Sequence, residues 1–331
     1  MNSSYHRGFY RSEWARRIAR WLDALPHPPL ACEIAPDRVA AVRWTHTGSL
    51  GEFAVEPLPA GAILASAVET NIVNVSAVRA AVAGVFNRLR AHDQDVTLLV
   101  PDPVIRVFVQ HFEDFPRSSQ EAEPMLRWKL KKSVPFEADE TLVSYVRQAP
   151  KEDGVDVVTG LARLRIVREY EMLVEAAGLR PGVVLTSSLA AIALLDDSRP
   201  ALLARVCGTS LTTAIVREGI LCGYRCTDLP ADAAGLTPQM LLEDVYPIAA
   251  YYHDFWQDGI QSVCVGGLGD RAAEFLGPMQ AELRCPVSSL LGSAQKSGRL
   301  RADALPLVDR ELEGLTGWMH YRSAQDAEGT R

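Results

Sequence analysis

ACEIAPDRVAAVRW, residues 31–44, reads as strand, tight turn and strand. Apolar residues lead into Pro36-Asp37-Arg38, and Val39, Ala40, Ala41 and Val42 follow. A tight hairpin near the start of an α/β domain is where some nucleotide-binding folds hold a phosphate. Such hairpins carry an acid, a glycine and hydroxyls, because backbone N–H groups must reach the phosphate oxygens unobstructed. This one has Glu33, Ala35 and Pro36 in their place.

Outward from the hairpin, the pattern alternates strand and helix. Strands are expected over 30–35, 39–44 and 50–57, and a buried strand over 96–101. A helix is expected over 75–91, with Val78, Val82, Val85, Phe86 and Leu89 on one face. This is a hairpin-led sheet with a helix packed on it, so the class is α/β. Residues 102–178 read as an inserted unit of their own. It has a strand over 104–111, then a helix over 118–134 opened by Ser118 with Glu121 three positions on. Strands over 141–147 and 155–164 and a helix over 166–177, closed by Gly178, complete a β-α-β-β-α insertion. The chain returns with a strand over 182–185 and a helix over 187–195.

The second half opens in the same way as the first. Strands are expected over 201–206, 211–217 and 220–227, with Glu218-Gly219 as a hairpin turn. A long helix over 237–256 precedes a buried strand over 262–265 that ends in Gly266-Gly267. A helix over 268–283, a strand over 286–290 and a last helix over 302–317 follow. Both halves thus read as copies of one α/β unit. The organisation is a helix and linker over 1–28, a first half over 29–101 and 179–196, the insertion over 102–178, a second half over 197–322 and a mobile tail over 323–331.

A chain of 331 residues suggests two domains, and 48% hydrophobic residues suffice for full cores. A net charge of −7 argues against nucleic acid as a partner. The charge is uneven. Residues 1–25 carry Arg7, Arg11, Arg16, Arg17 and Arg20 against Glu13 and Asp23. Residues 9–25 read as an amphipathic helix with Tyr10, Trp14, Ile18, Trp21 and Leu25 recurring on one side. The PHPP run, 26–29, ends it. Such a helix either docks on its own domain or on a partner, or lies on a membrane surface. No apolar run reaches the ~18 residues of a membrane span, and no signal-peptide core is present, so a cytoplasmic protein is expected. The six cysteines are scattered without a C-x-x-C or a histidine at zinc spacing, and read as buried free thiols with no metal. The seven histidines show no H-E-x-x-H, and no P-loop or G-x-S-x-G elbow occurs.

Three stretches carry a family resemblance. They are RWKLKKSVPFEADETLVSYV over 127–146, ARLRIVREYEMLVEAAGLRPGVVLTSSLAAIALL over 162–195 and VCVGGLGDRAAEFLGPMQAELRCPV over 263–287. In order and spacing they resemble the type IV pilus assembly protein PilM family. The resemblance implies an actin-like (ribonuclease H-like) duplicated fold with a small subdomain inserted in the first half. It also implies a cytoplasmic adaptor beneath the inner membrane that holds the short N-terminal cytoplasmic peptide of PilN.

The departures from the family pattern fall on its nucleotide site. Its first phosphate loop, roughly Asp-x-Gly-Ser-Ser-x-x-Lys, lies here on Glu33, Ala35, Pro36, Asp37 and Ala40. Its second, Asp-x-Gly, lies on Arg205 and Cys207, with Gly208 and Thr209 following. Only the third element, Gly266-Gly267, stands. The cleft subdomain of the second half is also missing, because the chain passes almost directly from 227 to the helix at 237. The expectation is a vestigial nucleotide cleft of Glu33, Ala35, Asp37, Arg205, Gly208, Thr209, Gly266 and Gly267 in a pseudo-ATPase that is not an enzyme and needs no cofactor. Two alternatives remain. One is a working actin-like protein that binds ATP and magnesium. The other is a regulatory sugar-kinase relative, for which no catalytic Asp is in place.

Glu33 and Arg205 are expected within ion-pair reach, since two facing acids with no cation would be unfavourable. Arg127, Lys129, Lys132 and Phe136 are the expected docking residues for a PilN-type partner. Trp14, Arg16, Arg17 and Trp21 are the expected contacts with an anionic membrane surface. A homo-oligomer stays open.

Overall fold

The computed structural model describes residues 28–45, 49–92, 94–136, 140–151, 153–230 and 232–329. The chain opens with β1 (Leu30–Ile34), β2 (Arg38–Trp44), β3 (Leu50–Pro57), α1 (Val75–Arg88) and β4 (Asp95–Val100). Next come β5 (Ile105–Phe112), α2 (Ser119–Leu130), β6 (Thr141–Lys151), β7 (Gly154–Arg163), α3 (Leu164–Ala176), β8 (Arg180–Thr186) and α4 (Ser187–Ala191). The second half has β9 (Ala201–Cys207), β10 (Ser210–Arg217), β11 (Ile220–Asp228), α5 (Pro238–Trp256), β12 (Ser262–Gly266), α6 (Ala272–Leu283) and β13 (Val287–Ser289). It closes with α7 (Leu290–Lys296), α8 (Leu305–Val308) and α9 (Glu313–Gly329).

The two large sheets have one topology. The first runs β3-β2-β1-β4-β8 and the second β11-β10-β9-β12-β13. In each, the first three strands are an antiparallel meander and the last two run parallel to its first strand. This is the duplicated actin-like arrangement, and it makes β1 and β9 equivalent strands.

Alternation along β1 explains the layers. Leu30, Cys32 and Ile34 face a core built with α1 (Val78, Val82, Val85, Phe86) and α3 (Ile166, Tyr170, Leu173, Val174). Ala31 faces a second core closed by Leu312, Leu315, Trp318 and Met319 around α9. In β9, Leu202, Ala204 and Val206 face α5 and α6, and Leu203 faces the turn after α4 and Leu290 of α7. Helices α4 and α9 cross where a Cβ on Gly317 would stand 2.2 Å from the Ala190 carbonyl oxygen. Only glycine permits so close a backbone approach.

The third sheet, β5-β7-β6, carries α2 through Phe112, Phe115, Ala122, Leu126 and Val157. Helix α3, read from sequence as part of the insertion, instead packs on the parent sheet's core. Its apolar side chains are what close that core beside α1. Helix α2 stops at Leu130 rather than 134, where the Ser133 amide bonds the Leu130 carbonyl at 2.8 Å. The expected single helix over 302–317 is broken. A 3-10 turn and α8 end before Glu311, whose φ of 54° starts a fresh helix at Glu313. That helix runs on to Gly329 through the segment read as a tail. Helix α7, capped by Ser289 accepting from the Gly292 amide, has no counterpart in the sequence reading. Between β11 and α5 only residues 229–237 intervene. No helix among the described residues is long and apolar enough to cross a membrane.

Candidate functional site

Glu33 and Arg205 sit on the equivalent strands β1 and β9, and the two halves bring them together. Arg205 Nη2 is 3.4 Å from Glu33 Oε1. Its Nε donates to Glu313 Oε2 at 2.7 Å, and its Nη1 donates to Ser188 Oγ at 3.3 Å. Asp102, in the 3-10 turn before β5, has Oδ2 4.0 Å from Arg205 Nη1. One guanidinium thus faces three carboxylates, Glu33, Asp102 and Glu313, all of them buried.

Each carboxylate has further donors. Asp102 accepts from the Ser188 amide at 2.9 Å, Ser188 Oγ at 2.5 Å and Thr212 Oγ1 at 2.8 Å. Glu33 Oε1 accepts from Ser187 Oγ. Glu313 Oε1 accepts from the Gly267 amide at 3.1 Å. Glu33 Oε2 has no hydrogen-bond partner among the described residues. Arg205 therefore joins the second half to the first sheet, to the N-terminus of α4 and to the start of α9. Burial alone would lower its pKa, but Glu313 and then Glu33 outweigh it and hold the guanidinium above its ordinary range. The planar five-donor fork suits such a crowd of carboxylates better than an ammonium would. Beside it, burial pushes the Cys207 thiol up, against the opposing pull of Arg205, so the thiol stays neutral. No disulfide forms among the six cysteines.

The eight cleft residues expected from sequence all line one cavity of about 830 Å³. Its walls do not suit a nucleotide phosphate. Pro36 has no N–H to offer, and its ring lies against the second hairpin: a Cβ on Gly208 would stand 2.9 Å from Pro36 Cγ. The two hairpins thus touch at this point. Asp37, Asp228, Asp232, Glu311 and Glu313 line the same cavity, against Arg38 and Arg205. Arg38 is engaged, donating to the Glu311 carbonyl oxygen at 3.0 Å. Burial first, then Glu313, raises the pKa of Glu311, while Arg38 opposes. The third element is intact because it must be. A Cβ on Gly267, at φ 69°, would stand 1.8 Å from the Val206 carbonyl oxygen. ATP and magnesium, which the fold family implies, therefore do not fit these residues. Among the described residues no His, Cys, Asp and Glu group is arranged to hold a metal ion.

The expected docking residues fare differently. Arg127 Nη1 donates to the Thr141 carbonyl at 2.6 Å and ties α2 to β6. Lys129 Nζ lies 3.8 Å over the Phe112 ring, and Lys132 is exposed. Phe136 is buried with Ala67, Leu130 and Leu161, so it is a core residue rather than a contact offered to a partner. Sequence reasoning passed over Trp128, which is 79% exposed. It borders a shallow groove of about 360 Å³ with Pro124, Arg127 and Lys131. The only available signal was a large aromatic on the polar face of an amphipathic helix. Asp102, Ser187, Ser188, Thr212 and Glu313 were also missed. The expected membrane contacts Trp14, Arg16, Arg17 and Trp21 lie outside the described residues.

No protein-family model and no curated protein matches the chain. Among solved structures it is similar to the PilM-PilN type IV pilus biogenesis complex, with TM-score 0.67 and 15% identity over 91% of this chain and 98% of that one. It is also similar to a Bacteroides thetaiotaomicron protein of actin-like ATPase fold and unknown function, with TM-score 0.47 and 11% identity over 87% and 98% of the two chains. A third is the cytoplasmic domain of EpsL, an inner-membrane component of the Vibrio cholerae type II secretion system, with TM-score 0.44 and 13% identity over 72% and 82%. The chain has a PilM-like, actin-like fold.

Proposed function

We propose that this chain is a PilM-like adaptor of a type IV pilus or related secretion machine, and a pseudo-ATPase. It docks the cytoplasmic peptide of a PilN-type inner-membrane protein and works at the cytoplasmic face of that membrane. The observation that carries the reading is Arg205. In an active relative of this fold, nucleotide and metal would link the halves at the cleft. Here a guanidinium bonded to Glu313 at 2.7 Å and paired with Glu33 at 3.4 Å takes that place. An adaptor whose halves are joined by its own side chains keeps one shape regardless of nucleotide supply.

The insertion supplies the partner face in this account. Trp128 stands exposed on α2 with Lys129, Lys131 and Lys132 around it. A tryptophan in a partly apolar groove is the residue type that dominates interface energies, and basic neighbours steer acidic partners. The test is fluorescence anisotropy with a labelled N-terminal cytoplasmic peptide of the PilN-type partner. Trp128→Ala should weaken binding about ten-fold or more, as an interface anchor does, and Lys129→Glu with Lys132→Glu should weaken it too. If the peptide binds all three forms equally, or none of them, the adaptor reading on this face is wrong.

A further inference from the structure

Helix α5 buries one side and leaves the other uncovered. Its inner side sends Leu241, Leu242, Val245, Ile248 and Tyr252 into the core of the second half. Its outer side shows Tyr246, Pro247, Ala250, Tyr251 and Phe255, which recur at three and four residues and so share one surface. Tyr246, Tyr251 and Phe255 are 43%, 56% and 57% exposed, and the Tyr251 and Phe255 rings stack at 6.0 Å. Single exposed apolar side chains are ordinary, but a contiguous aromatic face with a polar rim marks an interaction site. The rim is acidic. Helix α5 holds Glu243, Asp244 and Asp254 and no Lys or Arg. The Tyr246 hydroxyl donates to Glu282 of α6 at 3.4 Å, which brings another acid to the same face. Basic groups of the adjoining elements are engaged: Arg217 with Asp258 at 3.3 Å, Arg225 with Asp244 at 3.6 Å and Arg271 with Glu274 at 2.8 Å. Glu243, Asp254 and Glu282 stand against the exposed Arg284 and the His253 ring.

We infer that this face receives the N-terminal segment, residues 9–25, of a second copy of the chain. That segment, which lies outside the described residues, has the complementary chemistry. Its sequence sets Trp14, Ile18, Trp21 and Leu25 at helical spacing, and residues 1–25 carry five arginines against two acids. The lengths agree as well. As a helix, Trp14 to Leu25 would span about 17 Å, and Glu243 to Phe255 of α5 spans about 18 Å. Two α5 faces do not suit each other, because they would set acids against acids. The segment of the same copy cannot reach. Pro28 is fixed on the first half, where a Cβ on Gly182 of β8 would stand 3.3 Å from its Cγ. From Pro28 back to Leu25 the chain extends at most about 11 Å. Helix α5 lies on the opposite face of the second sheet from α4, which the first half lays against that sheet. A sheet layer and a helix layer, about 10 Å each, separate its outer side from the first half. The segment and the face are different surfaces, so the contact is head-to-tail and can continue beyond a dimer.

The test is sedimentation velocity on the full-length chain, first without lipid. The native chain should associate as its concentration rises, form species larger than a dimer, and do so less at high salt. Tyr251→Glu with Phe255→Glu removes the face and should weaken association at least about 100-fold, the size expected of two aromatic anchors. Trp14→Glu with Trp21→Glu removes the segment and should do the same. Circular dichroism of both variants should match the native chain, since Tyr251 and Phe255 are exposed. An equimolar mixture of the two variants is decisive. One keeps the segment and the other keeps the face, so together they should form a dimer and stop there. A mixture that stays monomeric overturns the inference. Association of the Trp14 and Trp21 variant as strong as that of the native chain also overturns it, because the contact would then not use the segment. A native chain that stays monomeric in solution but binds anionic vesicles through residues 9–25 would assign the segment to a membrane, and overturns it too.

Discussion

Arg205→Met removes the single cation from a set of three carboxylates at 2.7, 3.4 and 4.0 Å. The methionine fills a similar volume, so the change tests charge more than packing. Glu33, Asp102 and Glu313 are each less than one-tenth exposed. Water cannot replace the lost partner without opening the junction of the two halves. Breaking a buried ion pair on one side typically costs 3–5 kcal/mol, whereas an exposed pair is worth about 0–1 kcal/mol. The three-fold pairing puts the expected loss at the upper end, about 4–5 kcal/mol. In a chain of this size that lowers the thermal midpoint by about 6–7 °C. Urea unfolding followed by circular dichroism and differential scanning calorimetry both read it. Glu313→Gln, which keeps the shape and removes one carboxylate charge, should recover part of the loss in the Arg205→Met background. The coupling between the two changes should be about 1–3 kcal/mol. A loss below about 1 kcal/mol for Arg205→Met, the range of an exposed pair, would mean that Arg205 does not hold the halves together.

Gly317→Ala places a methyl 2.2 Å from the Ala190 carbonyl oxygen, and should cost about 1–3 kcal/mol by forcing α4 and α9 apart, seen as a lower urea midpoint. Trp128→Ala should leave that midpoint unchanged while peptide affinity falls, because the side chain is exposed. His111 has a raised pKa, first through its hydrogen bond to Asp156 at 2.9 Å. Its pairing therefore contributes fully below the unfolded-state value near 6.5, and the contribution is lost as pH rises through the higher folded value. Amide protection factors of β5 and β7, taken relative to intrinsic exchange at each pH, should fall over that interval in the native chain and not in His111→Gln.

The hairpins and the duplicated sheets were legible in the sequence because each follows from local pattern, and the Glu33–Arg205 approach was legible through the family resemblance, which sets the two hairpins across one cleft. Short apolar runs parted by turn residues mark β1, β2, β9 and β10. The rest of the site lies beyond local pattern. Ser188 meets Asp102 across 86 residues and Thr212 meets it across 110. Glu313 reaches Arg205 across 108 residues, from a helix whose start is set by a left-handed Glu311. Residue type did not announce that conformation. Phe136 and Trp128 show a different limit. Both are aromatic and close in sequence, yet Phe136 is buried beside the loop carrying Ala67 and Trp128 is left largely exposed. Which of them meets that loop depends on the fold of residues some sixty positions upstream.

Isothermal titration of the full-length chain with ATP and magnesium chloride tests the central claim most directly. With Arg205 bonded among Glu33, Asp102 and Glu313 and Pro36 packed on Gly208, no saturable heat is expected up to millimolar nucleotide. Stoichiometric binding, with Arg205→Met binding no more tightly than the native chain, would show that nucleotide and not Arg205 joins the two halves.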